Sequence, residues 1–355
     1  MRAEIKFRIS EEHARSIFDF SEGKAISERL RLVALSADDP RLAALARLYA
    51  QHAGRGFYGW NVERKYSKSE TERASLHLLE IQTGVLPTGE ECGTVYDDSD
   101  VCPLCGAARV QVSPLRLRIS NTPRRAEIAQ TWGGETIVSS RLVRLLIEAG
   151  ITGWGLGAVQ RSKKAEEEPF ALSETQSGKR LLQAASQAGI QYPSPDFYVW
   201  INGPERRKAF LRAVREHEST KLPGRRLPGG TSADWYQLFV TSKPVELSPS
   251  TRFGLNPFDG DIHEQYRCPL GLRDHVIGLN LLSQVTVQGT VGDGMDFLRS
   301  CGLVGRRVGL FNPRPLLFIS ARLRDLLLKN AIKGWASEVV NLSPDSSTQS
   351  SSAPN

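Results

Sequence analysis

The sequence lacks long hydrophobic segments. No uninterrupted apolar run approaches the ~20 residues that a membrane-spanning helix requires. The opening residues, MRAEIKFRISEEHARS, carry charges where a secretory signal peptide has an apolar core. We therefore expect a soluble, cytoplasmic protein that makes no contact with a membrane.

The composition lacks strong bias as well. Of the 355 residues, 40% are apolar and 24% are charged, which excludes collagen-like, mucin-like and wholly disordered chains. This apolar content is sufficient for one large core or two smaller ones. The exception is the Ser/Pro-rich end of the chain, 343–355, which has no apolar anchor and is predicted to be disordered.

The motifs of common enzyme classes are missing. The chain has no G-x-x-x-x-G-K-[ST] phosphate loop, no G-x-S-x-G nucleophile elbow and no H-E-x-x-H zinc motif. The glycine-rich run at 302–309 lacks the Lys-Ser/Thr step of a phosphate loop. The six histidines are scattered and indicate no catalytic group: they are His13, His52, His77, His217, His263 and His275. We therefore predict a protein that is not an enzyme and has no catalytic residues.

Positive charge is in modest excess and is clustered. The chain has 46 Lys and Arg residues against 39 Asp and Glu residues, a formal net charge of +7. The clusters are Arg116, Arg118, Arg124 and Arg125; Arg161, Lys163 and Lys164; and Arg206, Arg207, Lys208, Arg225 and Arg226. Such clusters are typical of a solvated surface, and they also suit an acidic protein partner or nucleic acid. No nucleic-acid-binding module accompanies them, so nucleic-acid binding is the alternative interpretation.

The first 70 residues are predicted to form a mixed N-terminal segment. The alternation from Ile5 to Ile9 favours a short strand, and Ser10 is placed to cap a following helix. A better helix is predicted from about Pro40 to His52, since its apolar residues fall on one stripe and Gly54 follows its end.

An internal repeat is the most informative feature of the sequence. When Ser139 is aligned with Ser320, SSRLVRLLIEAGITGWGLGAV faces SARLRDLLLKNAIKGWASEVV. Nine of these 21 positions are identical, where composition alone gives about two. We interpret this as an internal duplication.

Each copy predicts a β-α-β-like unit. A short apolar run ends at a serine that can cap a helix with apolar residues at i, i+3, i+4 and i+7. Gly150 is predicted to end the first helix and Asn330 the second, since both residue types tolerate a left-handed backbone. An I-x-G-W turn then leads to a second strand, with Trp154 and Trp335 predicted as core anchors. One unit is too small to bury its apolar face, so two copies are expected to share a core.

The resemblance between the copies extends upstream, where each contains a C-P-L triplet preceded by strand-like text (ASLHLLEIQ and WYQLFVTS). We therefore predict an α+β fold of two related halves, 71–160 and 231–342. The charged segment between them, 161–230, is predicted to be an insertion or linker.

The cysteines predict a metal site. Cys102 and Cys105 form a C-P-L-C-G knuckle, in which two thiolates reach one Zn²⁺, and Cys92 precedes them across residues typical of a turn. This segment is predicted to fold back as a hairpin. Cys268, in the second C-P-L triplet, is the candidate fourth ligand, with His275 and His263 as alternatives.

The predicted zinc site is structural. A closed, cysteine-rich coordination sphere leaves no open position for a water nucleophile. Cys301 is predicted to be a small buried apolar residue rather than a ligand. The remaining enzyme interpretation places a site between the halves, with Tyr266, Arg267 and His275 near the metal.

The knuckle and the repeat together resemble a known family. C-P-x-C-G followed by S-x-R-L-x-x-L-L and an I-x-G turn is similar to the double-CxxCG paralogues of myxobacteria and related immunity proteins of bacterial polymorphic toxin systems. The resemblance covers 71–160 and 231–342. It implies a structural metal on the cysteines and binding to a cognate toxin. The sequence departs from the pattern at Cys92-Gly93 and at Gly271, so two complete metal sites are not expected.

The leading functional prediction is therefore a non-enzymatic, zinc-stabilised protein-binding module, with an immunity protein as the specific role. The partner is predicted to be a protein, and recognition is expected on loops and on the 161–230 insertion.

Overall fold

The structure, a computed structural model, describes residues 1–85, 88–102, 109–118, 125–161, 168–171, 198–201, 235–261, 263, 280–289, 294–305 and 313–343. For residues 161, 168–171 and 198–201 only the backbone is described. Several residues singled out from the sequence lie outside this part of the chain: Cys105, Tyr266, Arg267, Cys268 and His275.

The described residues form an α+β protein that is rich in sheet. The helices are α1 (Glu11–Ala14), α2 (Leu42–Gln51), α3 (Lys68–Arg73), α4 (Ser140–Glu148) and α5 (Ala321–Lys329). The strands are β1 (Arg2–Ser10), β2 (Lys24–Ser27), β3 (Leu30–Ser36), β4 (Phe57–Lys65), β5 (Leu76–Ile81), β6 (Gly84–Val85), β7 (Tyr96–Asp97), β8 (Val110–Gln111), β9 (Leu115–Leu117), β10 (Ile128–Thr131), β11 (Thr136–Ser139), β12 (Trp154–Arg161), β13 (Glu168–Ala171), β14 (Tyr198–Ile201), β15 (Trp235–Val240), β16 (Phe253–Asn256), β17 (Asp259–Gly260), β18 (Asn280–Leu281), β19 (Thr286–Gln288), β20 (Phe297–Val304), β21 (Arg314–Ser320), β22 (Trp335–Val339) and β23 (Asn341–Ser343). None of the helices in the described ranges has the length and apolar character needed to cross a bilayer.

The N-terminal sheet has the order β2-β3-β1-β4 and is antiparallel throughout. Ile5, Phe7 and Ile9 alternate along β1 and pack with Leu45 of α2 in one buried cluster. The predictions for this segment are confirmed: β1 contains the alternating run, and α2 lies within the predicted helix. Ser10 caps α1, since its hydroxyl accepts a hydrogen bond from the His13 backbone N–H.

Two further sheets have matching inner strands. The first sheet has the order β6-β10-β11-β15-β12-β9 and the second sheet has the order β20-β21-β5-β22. In the first sheet β15 lies between β11 and β12, and in the second sheet β5 lies between β21 and β22. Thus β11-α4-β12 and β21-α5-β22 are each β-α-β units with one strand inserted between their own two strands.

The inserted strands come from distant parts of the chain. β5 belongs to the predicted half 71–160 but pairs with strands of the second half, and β15 belongs to the second half but pairs with strands of the first. The registers correspond, because Trp235 faces Ser139 and Leu76 faces Ser320. Each sheet is therefore built from both segments of sequence.

The two repeat helices pack together over a shared core. Ser139 and Ser320 cap them, each hydroxyl accepting the backbone N–H three residues later. Their buried leucines belong to a single cluster that also contains residues of both sheets. Arg141 donates to the carbonyl of Asn330 at the end of α5, and Arg322 donates to that of Ala149 at the end of α4. Each helix C-terminus is thus bound by an arginine of the other helix.

The turns after these helices explain why both copies of the repeat have the same I-x-G-W spacing. Gly153 (φ +82°) and Gly334 (φ +102°) have backbone angles that favour glycine, and a Cβ at either would lie within 2.5 Å of a carbonyl oxygen in the other sheet. The indole N–H groups of Trp154 and Trp335 donate to the carbonyls three residues earlier, at 2.7 and 2.9 Å. Both tryptophans pack against the shared core, as predicted.

Both predicted helix ends are confirmed, but the backbone conformation at the second differs from the expected one. Gly150 has the left-handed backbone expected after α4 (φ +61°). After α5, however, Asn330 is in a right-handed conformation (φ −95°), and Ala331 takes the left-handed position (φ +49°). The Asn330 side chain instead donates to the Leu326 carbonyl at 2.8 Å.

The predicted insertion contributes two strands to the described part of the chain. β13 and β14 pair antiparallel, from Glu168 opposite Ile201 to Ala171 opposite Tyr198. The rest of 162–234 lies outside the described residues, as does the end of the chain after Ser343, where the disordered tail is predicted.

Candidate functional site

The first cysteine segment forms a hairpin, but its turn does not lie between Cys92 and Cys102 as predicted, because Tyr96 and Asp97 form a strand and Cys102 falls in the loop after it. Tyr96 of β7 pairs with Gln111 of β8, and Asp97 pairs with Val110. Cys102 lies in the loop between these strands, and Cys92 lies in the turn that precedes β7. We refer to the described residues 88–102 and 109–112 as the cysteine hairpin.

Cys92 is held inside a tight turn. Its backbone N–H donates to the carbonyls of Thr88 and Gly89 at 3.1 and 3.0 Å, and Thr94 closes the turn by donating to Gly89 at 2.8 Å. The following residue, Gly93, has φ +89°, which favours glycine. Cys92 is buried and Cys102 is partly buried. The turn therefore places the Cys92 side chain in the protein interior, whereas Cys102 lies in the loop that follows β7.

Arg109 ties the two arms of the cysteine hairpin together. Its guanidinium donates to Glu90 at 2.6 Å and to Asp98 at 2.9 Å, and it lies 4.2 Å from the centre of the Tyr96 ring. The Arg109 side chain is only 11% exposed. Burial acts to lower its pKa, but the two carboxylates outweigh this effect and raise the pKa above the usual range. The ion pairs of Arg109 with Glu90 and Asp98 thus hold the cysteine hairpin together through charge-assisted hydrogen bonds.

Tyr96 connects the hairpin to the first sheet. Its hydroxyl donates to Glu135, which follows the glycine turn between β10 and β11 and also accepts from Thr131. Burial, reinforced by the Glu135 carboxylate, raises the Tyr96 pKa well above its usual value, so the phenol stays protonated.

Part of the predicted zinc ligand set lies in the described residues. Two of the predicted zinc ligands, Cys92 and Cys102, lie in the cysteine hairpin, and thiolates are the ligands that structural zinc prefers. Within the described ranges no three His, Cys, Asp or Glu side chains are grouped closely enough to hold a metal ion. Cys105, Cys268 and His275 fall outside these ranges, and His263 is exposed. The complete ligand set stays a prediction.

Cys301 is less buried than predicted. It lies on β20, where its backbone N–H donates to the Val245 carbonyl at 2.8 Å, and its side chain is partly buried rather than fully enclosed. Its neighbours Ser300 and Gly302 are both buried. The three residues lie where β20 loses its regular pairing with β21.

A cleft of about 490 Å³ lies beside the cysteine hairpin, between the first and second sheets. We refer to it as the arginine cleft because Arg109, Arg299 and Arg314 all line it. Gln111 of the hairpin and Gln237 of β15 lie on its wall and exchange two amide hydrogen bonds, at 2.9 and 2.6 Å.

Two of the three cleft arginines have no carboxylate partner in the described part of the chain. Arg314 donates to the Gln130 amide, and partial removal from water lowers its pKa. The Arg299 side chain makes no ion pair with a described residue, and the one acid that lines the cleft, Glu135, is bound to Tyr96 and Thr131. In the described part of the chain, the arginine cleft therefore presents two guanidinium groups without an ion pair, Arg299 and Arg314, beside the single carboxylate of Glu135.

The members of the basic clusters that the structure describes do not line this cleft. Arg116 lies outside it, next to the cysteine hairpin, and donates to Gln160 at 3.3 Å. Several members of the clusters lie outside the described residues or are described by backbone only: Arg124, Arg161, Lys163, Lys164, Arg206, Arg207, Lys208, Arg225 and Arg226. The cleft arginines were missed because each is isolated in sequence and they meet only through the pairing of β8, β20 and β21.

No family model, curated protein or solved structure matches this chain.

Proposed function

We propose that this chain is a non-enzymatic protein-binding module that acts as an immunity protein, capturing an acidic surface of a cognate toxin in the arginine cleft. The observation that carries the proposal is the pair Arg299 and Arg314, which lack carboxylate partners in the described part of the chain. Uncompensated arginines in a concave site attract and orient carboxylates. The immunity role rests on the resemblance of the C-P-L-C-G knuckle and repeat to double-CxxCG immunity proteins.

The cysteine hairpin forms one wall of this site in the proposal. A structural Zn²⁺ on Cys92, Cys102 and Cys105, with Cys268 as fourth ligand, would fix the hairpin loop and keep Arg109 and Gln111 in place. A reducing compartment keeps such thiols available to metal, which suits a protein of the cytoplasm.

The two halves are proposed to derive from an internal duplication. Besides the nine identities in the repeat, the segments upstream of it make equivalent hydrogen bonds. Thr94 accepts the backbone N–H of Arg116, and Thr251 accepts that of Thr286, at 2.8 and 3.0 Å. The hydroxyls of Ser113 and Ser283 likewise accept from the residues that follow these threonines, both at 2.8 Å. Such matched details support descent from one ancestral unit.

The test is protection of a host cell that expresses the product of the adjacent gene. The wild-type chain is expected to restore growth and to bind that product, whereas the Arg299→Gln/Arg314→Gln double variant loses about tenfold or more in affinity. Arg8→Gln, which changes an exposed arginine on β1, is the matched control and is expected to protect fully.

Two results would contradict the proposal. One is an adjacent product that is neither toxic nor bound. The other is binding by the double variant at wild-type affinity. Tight binding to DNA or RNA that weakens steeply with salt, with no effect on toxin, would instead favour the nucleic-acid alternative.

A further inference from the structure

The N-terminal sheet has one covered face and one open face. The buried cluster on the covered face contains residues of β1 together with residues of both neighbouring helices, α1 and α2. They are Ile5, Phe7, Ile9, Ala14 and Leu45. Side chains alternate between the two faces along a strand, so the intervening residues of β1 lie on the opposite face. Neither helix covers that open face.

Four residues form one row across the open face. Lys24 of β2 is opposite Leu32 of β3, and Leu32 is opposite Arg8 of β1. Arg8 is in turn opposite Tyr58 of β4. Opposed residues of antiparallel strands share a face, and neighbouring strands lie about 4.8 Å apart, so the row is about 14 Å long. All four side chains are exposed, and we refer to these residues as the open-face row.

A β-bulge sets the position of Tyr58 in this row. The register of β1 against β4 shifts after Phe7, since Trp60 is opposite Phe7 but Tyr58 is opposite Arg8. Gly59 is the extra residue of the bulge, and its φ of +65° favours glycine. The bulge allows Trp60 to pack against the buried cluster of the covered face while Tyr58, which is 53% exposed, lies on the open face.

The charged members of the open-face row are both positive. Arg8 and Lys24 make no ion pair with a residue that the structure describes. The acids on the same face, Glu4 and Glu63, lie further along the strands, where the ammonium group of Lys6 pairs with both. The row itself therefore offers two cations and no carboxylate, which complements a ligand with repeated negative charges.

The exposed ring beside these cations selects the class of ligand. Within the described part of the chain the Tyr58 ring makes no aromatic or cation–π contact, so a planar group can stack on it. An acidic protein segment would use Arg8 and Lys24 but not the ring, and a duplex keeps its bases stacked inside. An unpaired nucleotide uses both features, because its base stacks on an aromatic side chain and its phosphate pairs with a cation.

We propose that the open-face row binds single-stranded nucleic acid. A base stacks on Tyr58, the flanking phosphates pair with Arg8 and Lys24, and Leu32 between them packs against a sugar or a second base. None of these four residues lines the arginine cleft. The site is therefore separate from the protein-binding role proposed above and does not depend on it.

The test is fluorescence anisotropy of the full chain with labelled oligouridine RNA and oligothymidine DNA over a range of salt concentrations. At low salt at least one is expected to bind with a dissociation constant of about 100 μM or lower. Tyr58→Ala is expected to weaken binding about tenfold and to leave its salt dependence unchanged, because it removes stacking but no charge. Tyr58→Phe, which keeps the ring, is expected to stay within about threefold of wild type. Arg8→Gln/Lys24→Gln is expected to lower the slope of log K against log salt by about 1.4, or ~0.7 for each lost phosphate contact.

Arg144→Gln, at an exposed position on α4, is the matched control and is expected to change neither the affinity nor the salt slope. All of the substituted side chains are exposed, so each variant is expected to melt at the wild-type temperature.

The proposal is overturned if neither oligonucleotide binds the wild-type chain. Wild-type binding by both Tyr58→Ala and Arg8→Gln/Lys24→Gln would also overturn it, because the nucleic acid would then lie elsewhere on the chain. Two further results would do the same: equal competition by a duplex of the same length, or a dimer of this chain that Tyr58→Ala dissociates in sedimentation. Toxin protection is scored separately with the Arg299→Gln/Arg314→Gln variant, which is expected to bind the oligonucleotides normally, so failure of either proposal is recognised independently.

Discussion

At the scale of single residues, His77 illustrates how burial sets the properties of a side chain. It lies on β5 with 0% exposure, and neither ring nitrogen has a hydrogen-bond partner of normal geometry among the described residues. The backbone of Ala74 lies near enough to raise the His77 pKa in part. Burial, together with the charge of Arg324, lowers the His77 pKa from 6.5. The folded protein therefore holds this imidazole neutral.

This lowered pKa predicts acid sensitivity. Below pH 6.5 the unfolded chain protonates His77 more readily than the folded chain does, so folding stability falls as the pH decreases. The slope contributed by one such group is at most about 1.4 kcal/mol per pH unit. His77→Leu is expected to remove this slope, measured as the free energy of unfolding in urea between pH 7.5 and 5. His52→Leu, at an exposed position, is the control. Parallel pH profiles for wild type and His77→Leu would contradict this assignment.

At the scale of residues, the sequence predicted the candidate metal ligands but not the residues of the arginine cleft. The cysteines were found because a C-x-x-C spacing carries its chemistry within a few residues. Arg299 and Arg314 are isolated charges in sequence, and nothing near them signals a cleft. Their surroundings depend on which strands become neighbours.

At the scale of elements, the cysteine hairpin is fixed by side chains as much as by its strands. β7 and β8 pair over only two residues each, which is too short for independent stability. The ion pairs of Arg109 with Glu90 and Asp98 and the bond from Tyr96 to Glu135 hold this hairpin against the first sheet. A metal bound by its cysteines would add a further restraint within the same loop.

A zinc-bound hairpin predicts a specific loss. Elemental analysis of protein purified under reducing conditions is expected to find about one zinc per chain, lost in Cys105→Ser and in Cys268→Ser. Since metal binding stabilises the folded hairpin, the same variants are expected to melt at a lower temperature. Cys301→Ser, outside the hairpin, is expected to keep its zinc. Metal-free wild type, or full occupancy in Cys105→Ser, would remove the zinc assignment, whereas retention in Cys268→Ser alone would transfer the fourth position to His275 or His263.

At the scale of the whole molecule, side-chain contacts between described residues join the N-terminal sheet to the second half of the chain. Phe258, between β16 and β17, inserts into the N-terminal core, where its ring centre lies 4.8 Å from that of Phe7 and 5.2 Å from that of Phe57. On another side, Arg64 of β4 pairs with Glu338 of β22. A cavity lined by residues of β4, β5 and β21 lies beside this pair, so the placement of the N-terminal sheet also shapes that cavity.

Phe258→Ala is expected to loosen the N-terminal sheet from the body of the protein. Removing a buried phenylalanine costs about 3–5 kcal/mol. Calorimetry is expected to show a separate, lower-temperature transition, with faster proteolysis near residues 66–75. Phe239→Ala, at a half-exposed aromatic position of β15, serves as the matched control and is expected to cost less than about 1 kcal/mol. A single transition shifted equally in both variants would contradict this interpretation of Phe258.

The sequence by itself determined the local structure of this protein. Ser139 and Ser320 specify helix starts, the leucine spacing specifies the buried face of α4 and α5, and the glycine-tryptophan pairs specify the turns, because each of these effects acts over a few residues. Only the tertiary structure decided that β5 and β15 exchange partners between the two sheets, since antiparallel pairing depends on apolar pattern and not on distance along the chain. The arginine cleft depends on that exchange, because β15 lines it, and no local rule could have placed its arginines together.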